Sequence, residues 1–286
     1  MDTAMGLFGR GTKVPEKGVE KEERQKHRFF IFFDVVFRKF MKFMQLNLMF
    51  LVFSLPYLLL LYWLSPINVT SLSGVSMSGI GEFVQSLPYE DAAAFELVLR
   101  LLFALGVVIL WGAGPVSAGC AYVMRNFSRE EHAWVFSDFW DNMKSNFKQS
   151  IVVLLIDILI LYLSLVAFNF YSHQYALSPN SMFLVAQGLL AFLLILYTFM
   201  HYYIYQIMVT YKVKLSVLYK NALLFAVAKF PQNIFFTVLS GGILLGLFVL
   251  LNVFAALAFV IVFTALCKFI IEFYTAEVIR KNTIQK

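Results

Sequence analysis

Charge is scarce in this chain and cysteine is scarcer. Only 14% of its residues are charged, where a soluble domain carries about 25%. The two cysteines, Cys120 and Cys267, belong to no CxxC pair or Cys/His cluster, so a zinc or iron–sulfur centre has no support. Both fall near the same-side ends of apolar stretches, where a disulfide is not expected. No HExxH, GxSxG or glycine-rich phosphate loop occurs, and no two Asp residues share the apolar stretches. Zincin, serine-hydrolase, P-loop and aspartyl-dyad chemistries therefore lack their residues. The reading is of a chain that is not an enzyme and calls for no cofactor or metal.

What is abundant is apolar surface. Hydrophobic residues make up 60% of the chain, with 32 Phe and a mean hydropathy of +0.77. A water-soluble fold could not cover that much aromatic surface. Six stretches, about 43–64, 97–118, 150–171, 182–208, 233–251 and 254–274, approach or exceed the roughly 20 residues that cross a bilayer. Between them the charge alternates. Residues 1–42 hold ten Lys and Arg. The connection 119–149 holds Arg125, Arg129, Lys144 and Lys148, and 209–232 holds Lys212, Lys214, Lys220 and Lys229. Lys268, Arg280, Lys281 and Lys286 close the chain, while 65–96 and 172–181 hold no Lys or Arg. Basic residues stay on the cytoplasmic side. The expectation is an all-α polytopic bundle of six spans in the bacterial cell membrane, both termini cytoplasmic. The net charge of +6 then reflects topology and inner-leaflet lipids, and nucleic acid is not needed to explain it.

Residues 1–27 read as a charged, disordered tail ahead of a single membrane domain, 28–286; Met5 is a second candidate start. Ser65–Ser86 reads as an irregular outer loop, and a turn at Leu251–Asn252–Val253 separates the last two spans. Three segments, 28–44, 131–147 and 211–230, carry helical amphipathic patterning, as in helices lying in the headgroup plane. Their endings, FMQLN, FKQSI and FPQNI, each lead into a span. They suggest three copies of one unit, an interfacial helix with a span out and a span back.

Gly114-Pro115, Arg125-Asn126-Phe127, Ser137-Asp138-Phe139-Trp140 and Lys144-Ser145-Asn146-Phe147 together resemble the signature of the YesL-like family. The resemblance implies an integral membrane protein of unknown function from a Gram-positive bacterium. It also implies a link to carbohydrate uptake, because genes of that family commonly lie beside sugar ABC-transporter genes. The motif positions carried over are Gly114, Pro115, Arg125, Asp138, Phe139, Lys144 and Asn146. The chain lacks the EAA-type loop of such permeases, so the resemblance points to an accessory or regulatory subunit docking a permease or ATPase.

Each candidate site has two readings. Gly114-Pro115 is a packing kink or a hinge with exposed backbone. The charges at 125–138 are a solvated face or a docking surface. Asp157, His201 and Lys268 are ionisable groups within apolar stretches, at a cost that makes them functional candidates. They are either a polar layer with an Asp157–His201 proton relay, or a snorkelling lysine beside locally bonded neutral groups. The polar layer supports the alternative function, an independent small-solute carrier or channel.

Overall fold

A computed structural model describes residues 27–65, 89–250 and 253–284. The tail to residue 26, most of the expected loop Ser65–Ser86 and the turn at 251–252 lie outside the described residues. Those described form ten helices and no strand: α1 (Arg28–Arg38), α2 (Phe40–Leu64), α3 (Tyr89–Leu110), α4 (Pro115–Ser128), α5 (Val135–Ser145), α6 (Phe147–Leu177), α7 (Ser181–Tyr211), α8 (Leu215–Ala228), α9 (Phe230–Leu250) and α10 (Val253–Ile284).

Three of these, α2, α6 and α7, are each long and apolar enough to cross a bilayer. Two bent pairs raise the number to five: α3 with α4, bent by 59°, and α8 with α9, bent by 87°. The expected second span, 97–118, is thus not one helix; it breaks at 111–114. The 87° bend lays α8 across the axis of α9, as suits a helix in the headgroup plane. The sixth expected crossing falls in α10, whose side chains up to residue 263 are outside the described residues. Helices α6 and α7 run 31 residues each, about 46 Å at 1.5 Å per residue. They outlast their apolar stretches, so the expected connection 172–181 shrinks to Ser178–Asn180. There the Asn180 side chain accepts from the Met182 N–H and caps α7. Their flanks expose Leu155, Leu159, Leu163, Leu189 and Leu193, surface that hydrocarbon would cover.

One-residue elbows join three helices to their successors, α1 to α2, α5 to α6 and α8 to α9. Lys39, Asn146 and Lys229 each end one helix and start the next, with φ/ψ of −107/17, −101/7 and −115/25. All three sit in the sparsely populated bridge region. In each, the carbonyl accepts from the N–H four residues on, at Phe43, Ser150 and Asn233. Beyond the elbows, Phe50, Asp157 and Ser240 occupy the same register, and all three are buried. Two left-handed residues, Glu130 (φ 59) and Lys212 (φ 45), lead into α5 and α8.

Helix α4 is the centre of the bundle. From Pro115 to Ser128 only Tyr122 and Arg125 escape full burial. It packs against α5, α7, α10, α2 and α6. Gly119 makes the α5 contact possible, since a Cβ there would lie 2.6 Å from the Phe139 carbonyl. Phe43 meets Phe127 and Phe269, ring centroids 5.0 and 4.7 Å away. The basic connections gather at one end: Arg28 reaches Ser128 and Phe273, Lys39 reaches Glu131, and Arg125 reaches Val209.

Candidate functional site

The break between α3 and α4 is built from glycine. Gly112 (φ +94) and Gly114 (φ +56) turn the chain in conformations that other residues rarely adopt. A Cβ on Gly112 would also lie 2.6 Å from the Tyr205 ring and 2.7 Å from Ser117 Oγ. Pro115 then starts α4 at a position where its missing N–H costs nothing. The Ala113 N–H, freed by the break, donates to Ser117 Oγ at 2.7 Å. The Ile109 carbonyl accepts from Lys268 Nζ at 3.4 Å. Lys268 is buried, its ammonium 5.7 Å from the Phe50 ring centroid. The snorkelling reading is thereby corrected: this cation turns inward to the negative end of a broken helix.

Beside the break, α6 and α7 bring Asp157 and His201 together, both side chains fully buried. His201 Nε2 lies 2.8 Å from Asp157 Oδ1, and His201 Nδ1 lies 3.0 Å from the Tyr197 carbonyl oxygen. The Tyr197 hydroxyl donates to the same Oδ1 at 2.6 Å. The Trp111 indole stacks on the His201 ring, 5.7 Å between centroids and 18° between planes. Its N–H donates to Thr198 Oγ1 at 2.8 Å. Asp157 Oδ2 and the Tyr57 hydroxyl are buried and find no partner among the described residues. Tyr205 and Tyr219 also lie within range of the Asp157 charge. The result is a carboxylate with one oxygen committed and one free, ringed by tyrosines and set against an open turn of backbone.

Lys268 does not join this pair. It shares α10 with Glu272, which accepts from Gln206 Nε2. Both acid and lysine are buried beside Cys120. Sequence spacing does not single out Gln206, Glu272, Tyr197, Trp111 or Tyr57. A glutamine and a glutamate inside apolar runs are the available signal. Tyr57 and Trp111 give none, being ordinary aromatics of a membrane helix.

The motif residues serve mainly to hold one end of the bundle together. Arg125 donates to the Val209 carbonyl and to Thr210 Oγ1, each at 3.2 Å, and lies 4.5 Å from the Tyr122 ring centroid. It does not pair with Asp138, which accepts from the Trp134 N–H at the start of its own helix at 2.8 Å. Phe139 is fully buried against Gly119. Lys144 lies over the Trp140 ring, and the Asn146 side chain donates to the Asn142 carbonyl beneath its elbow. Arg38 pairs with Glu130 at 2.6 Å. Lys39 and Lys42 donate to the carbonyls of Glu131 and Ala133. Burial, then the neighbouring Lys42 and Arg38, push the Lys39 ammonium down.

Arg28 ties three helices, donating to the Ser128 and Phe273 carbonyls and lying 3.8 Å from Glu277. Burial lowers its guanidinium from the usual value while Glu277 works the other way. Burial would raise the Glu277 carboxyl, but the Arg280 hydrogen bond and the charges of Arg28 and Arg280 hold it below its ordinary range. A cavity of about 420 Å³ opens here, lined by Arg28, Arg129, Glu131, Tyr211 and Arg280 among others. Among the described residues no three His, Cys, Asp or Glu side chains converge to hold a metal ion.

The profile of a family described as "Protein of unknown function, DUF624" matches residues 96–168. That segment holds the break, all seven motif positions and Asp157; His201 and Lys268 lie beyond it. The match is consistent with the resemblance seen in the sequence. No curated protein and no solved structure matches the chain.

Proposed function

We propose that this protein is a carrier of small solutes across the bacterial cell membrane, with its termini on the cytoplasmic side and its binding site at the broken span beside Asp157. The single observation that carries the reading is Asp157 Oδ2, a buried carboxylate oxygen without a partner among the described residues. A buried polar atom left unmatched costs about 1–3 kcal/mol, and a ligand able to donate to it would recover that cost. Broken helices near the middle of a membrane are where carriers place such sites, because irregular backbone is tolerated there only when it lines a cavity or is buried in protein. Polyhydroxylated solutes suit a site of this kind, as donors to the carboxylate and partners for aromatic rings, and the carbohydrate link implied by the sequence resemblance agrees with that class.

The architecture we infer is three copies of one unit, beginning at α1, α5 and α8. The shared geometry of the Lys39, Asn146 and Lys229 elbows supports it. So does the common register of Phe50, Asp157 and Ser240. In this plan the site is the second unit's version of a buried position present in all three, and α10 supplies the sixth crossing.

The subunit reading rests on exposed inner-face cations such as Arg129, Lys144 and Lys148. Arg125 and Asp138, by contrast, have partners within the chain. One experiment separates the readings: the purified chain alone in liposomes, tested against labelled mono- and oligosaccharides. Uptake by the isolated protein supports the carrier. No uptake of any of them, together with recovery of a permease or ATPase from native membranes, establishes the subunit instead.

A further inference from the structure

The hydrogen bonds at His201 count protons. Both ring nitrogens face oxygen: Nδ1 the Tyr197 carbonyl at 3.0 Å, Nε2 the Asp157 carboxylate at 2.8 Å. A neutral imidazole carries one N–H. Whichever nitrogen holds it, the other would set its lone pair against an oxygen lone pair if Asp157 were ionised. Only two states satisfy both contacts. One is an imidazolium beside a carboxylate; the other is an Nδ1–H imidazole accepting from a protonated Asp157. Each holds one proton more than a neutral histidine with an ionised aspartate.

We propose that Asp157 and His201 form the binding site of one exchangeable proton, and that its release turns the His201 ring and frees the Trp111–Gly114 break to move. The proposal rests on the carrier reading for its consequence, making the proton the coupling ion, but not for its chemistry. Deprotonation leaves one N–H for two acceptors: held on Nε2 for the carboxylate, it sets the Nδ1 lone pair against the Tyr197 carbonyl, a repulsion relieved when the His201 ring turns. Trp111 lies flat on that ring, and Gly112 packs on Tyr205, one turn beyond His201 on α7, so such a motion reaches the break directly. The groups facing the pair are Tyr57 from α2, Trp111 from the break, Tyr197 and Tyr205 from α7, and Tyr219 from α8. Lys268 of α10 bonds instead to the Ile109 carbonyl, and Glu272 accepts from Gln206. Tyr197 donates to Oδ1 in either state, so it keeps the carboxylate aimed while the proton comes and goes.

Trp111 is a built-in reporter, since a turn of the neighbouring His201 ring changes the surroundings of its indole and with them its emission. The test uses the full chain with Trp63, Trp134 and Trp140 replaced by Phe, in lipid nanodiscs, with pH stepped across the whole range in which the fold survives. The expected result is one step in Trp111 emission. His201→Gln and Asp157→Asn each abolish it while thermal unfolding still shows a folded protein. Should either variant fail to fold, the four-tryptophan parent and its Trp111→Phe variant decide the matter, because the latter leaves the pair intact and must lose the step. Emission flat across the range, or a step surviving in Trp111→Phe, overturns the proposal. Solute uptake is a separate arm. Uptake indifferent to a pH gradient, with no Trp111 step, defeats the coupling and leaves the carrier standing. A Trp111 step without any uptake defeats the carrier and leaves the proton site.

Discussion

Lys268 Nζ lies 3.4 Å from the carbonyl oxygen of Ile109, one residue before α3 ends. A charge buried in the bundle and a carbonyl released by a broken helix thus satisfy each other. Neither is explicable alone: the lysine would be too costly in an apolar interior, and the carbonyl would be an orphan.

The pairing predicts the cost of removing it. Lys268→Met keeps volume and loses the donor, leaving Ile109 and the buried Glu272 without a cation nearby. Thermal unfolding in detergent should register a loss of about 1–3 kcal/mol. Adding Glu272→Gln should restore part of it, because the stranded acid is then neutral. A Lys268→Met protein as stable as the parent would mean that the lysine does no capping.

Helix α4 predicts a second effect. Gly119→Ala places a methyl 2.6 Å from the Phe139 carbonyl, and that backbone cannot turn aside as a side chain could. Over-packing of this kind costs about 1–3 kcal/mol. Gly106→Ala in α3 meets nothing within 4 Å and should be neutral or stabilising by up to about 1 kcal/mol. Melting curves of the two variants, measured side by side, should show Gly119→Ala below the parent and Gly106→Ala level with it or above.

A third prediction concerns acid. The Glu277 carboxyl titrates below its ordinary value of 4.5, held there against its own burial by Arg280, Arg28 and Lys281. A depressed carboxyl contributes stability that is complete above that ordinary value and disappears as pH falls through the lowered one. The site is partly wet, so the contribution is at most about 1 kcal/mol. At neutral pH, Glu277→Gln should melt slightly below the parent, and the two curves should converge in acid. Curves that stay parallel to the lowest pH would show that Glu277 contributes nothing through its charge.

Parts of this arrangement are written openly in the sequence. Asp157 and His201 stand out because an ionisable side chain in an apolar run has few explanations, and the structure joins them. The endings FKQSI and FPQNI follow directly on the elbow residues Asn146 and Lys229, whereas FMQLN starts four residues after the elbow at Lys39. Other parts depend on tertiary contacts that spacing does not reveal. Arg125 and Asp138 are close in sequence, but they belong to α4 and α5, with the left-handed turn at Glu130 between them, and each bonds elsewhere. Lys268 looks like a snorkelling residue until the break supplies a carbonyl for it. Hydropathy misplaces the ends of α6 and α7 because helical hydrogen bonding continues past the apolar run, through Ser172 to Leu177 and on to Tyr211. Gly114-Pro115 signals a kink, whereas the positive φ of Gly112 and Gly114, which turns the kink into a break, goes with close contact to Tyr205 and Leu154.

The most direct test of the central claim is the rate of solute uptake into liposomes by the parent compared with Asp157→Asn. The amide keeps the size of the side chain and removes the charged acceptor. A charge-assisted hydrogen bond contributes about 1.5–3 kcal/mol, so uptake is predicted to be slower by roughly ten- to a hundredfold. Arg38→Gln, at the exposed clamp on Glu130, should transport at the parental rate. Uptake by Asp157→Asn equal to that of the parent would contradict the claim that the free oxygen of Asp157 receives the solute.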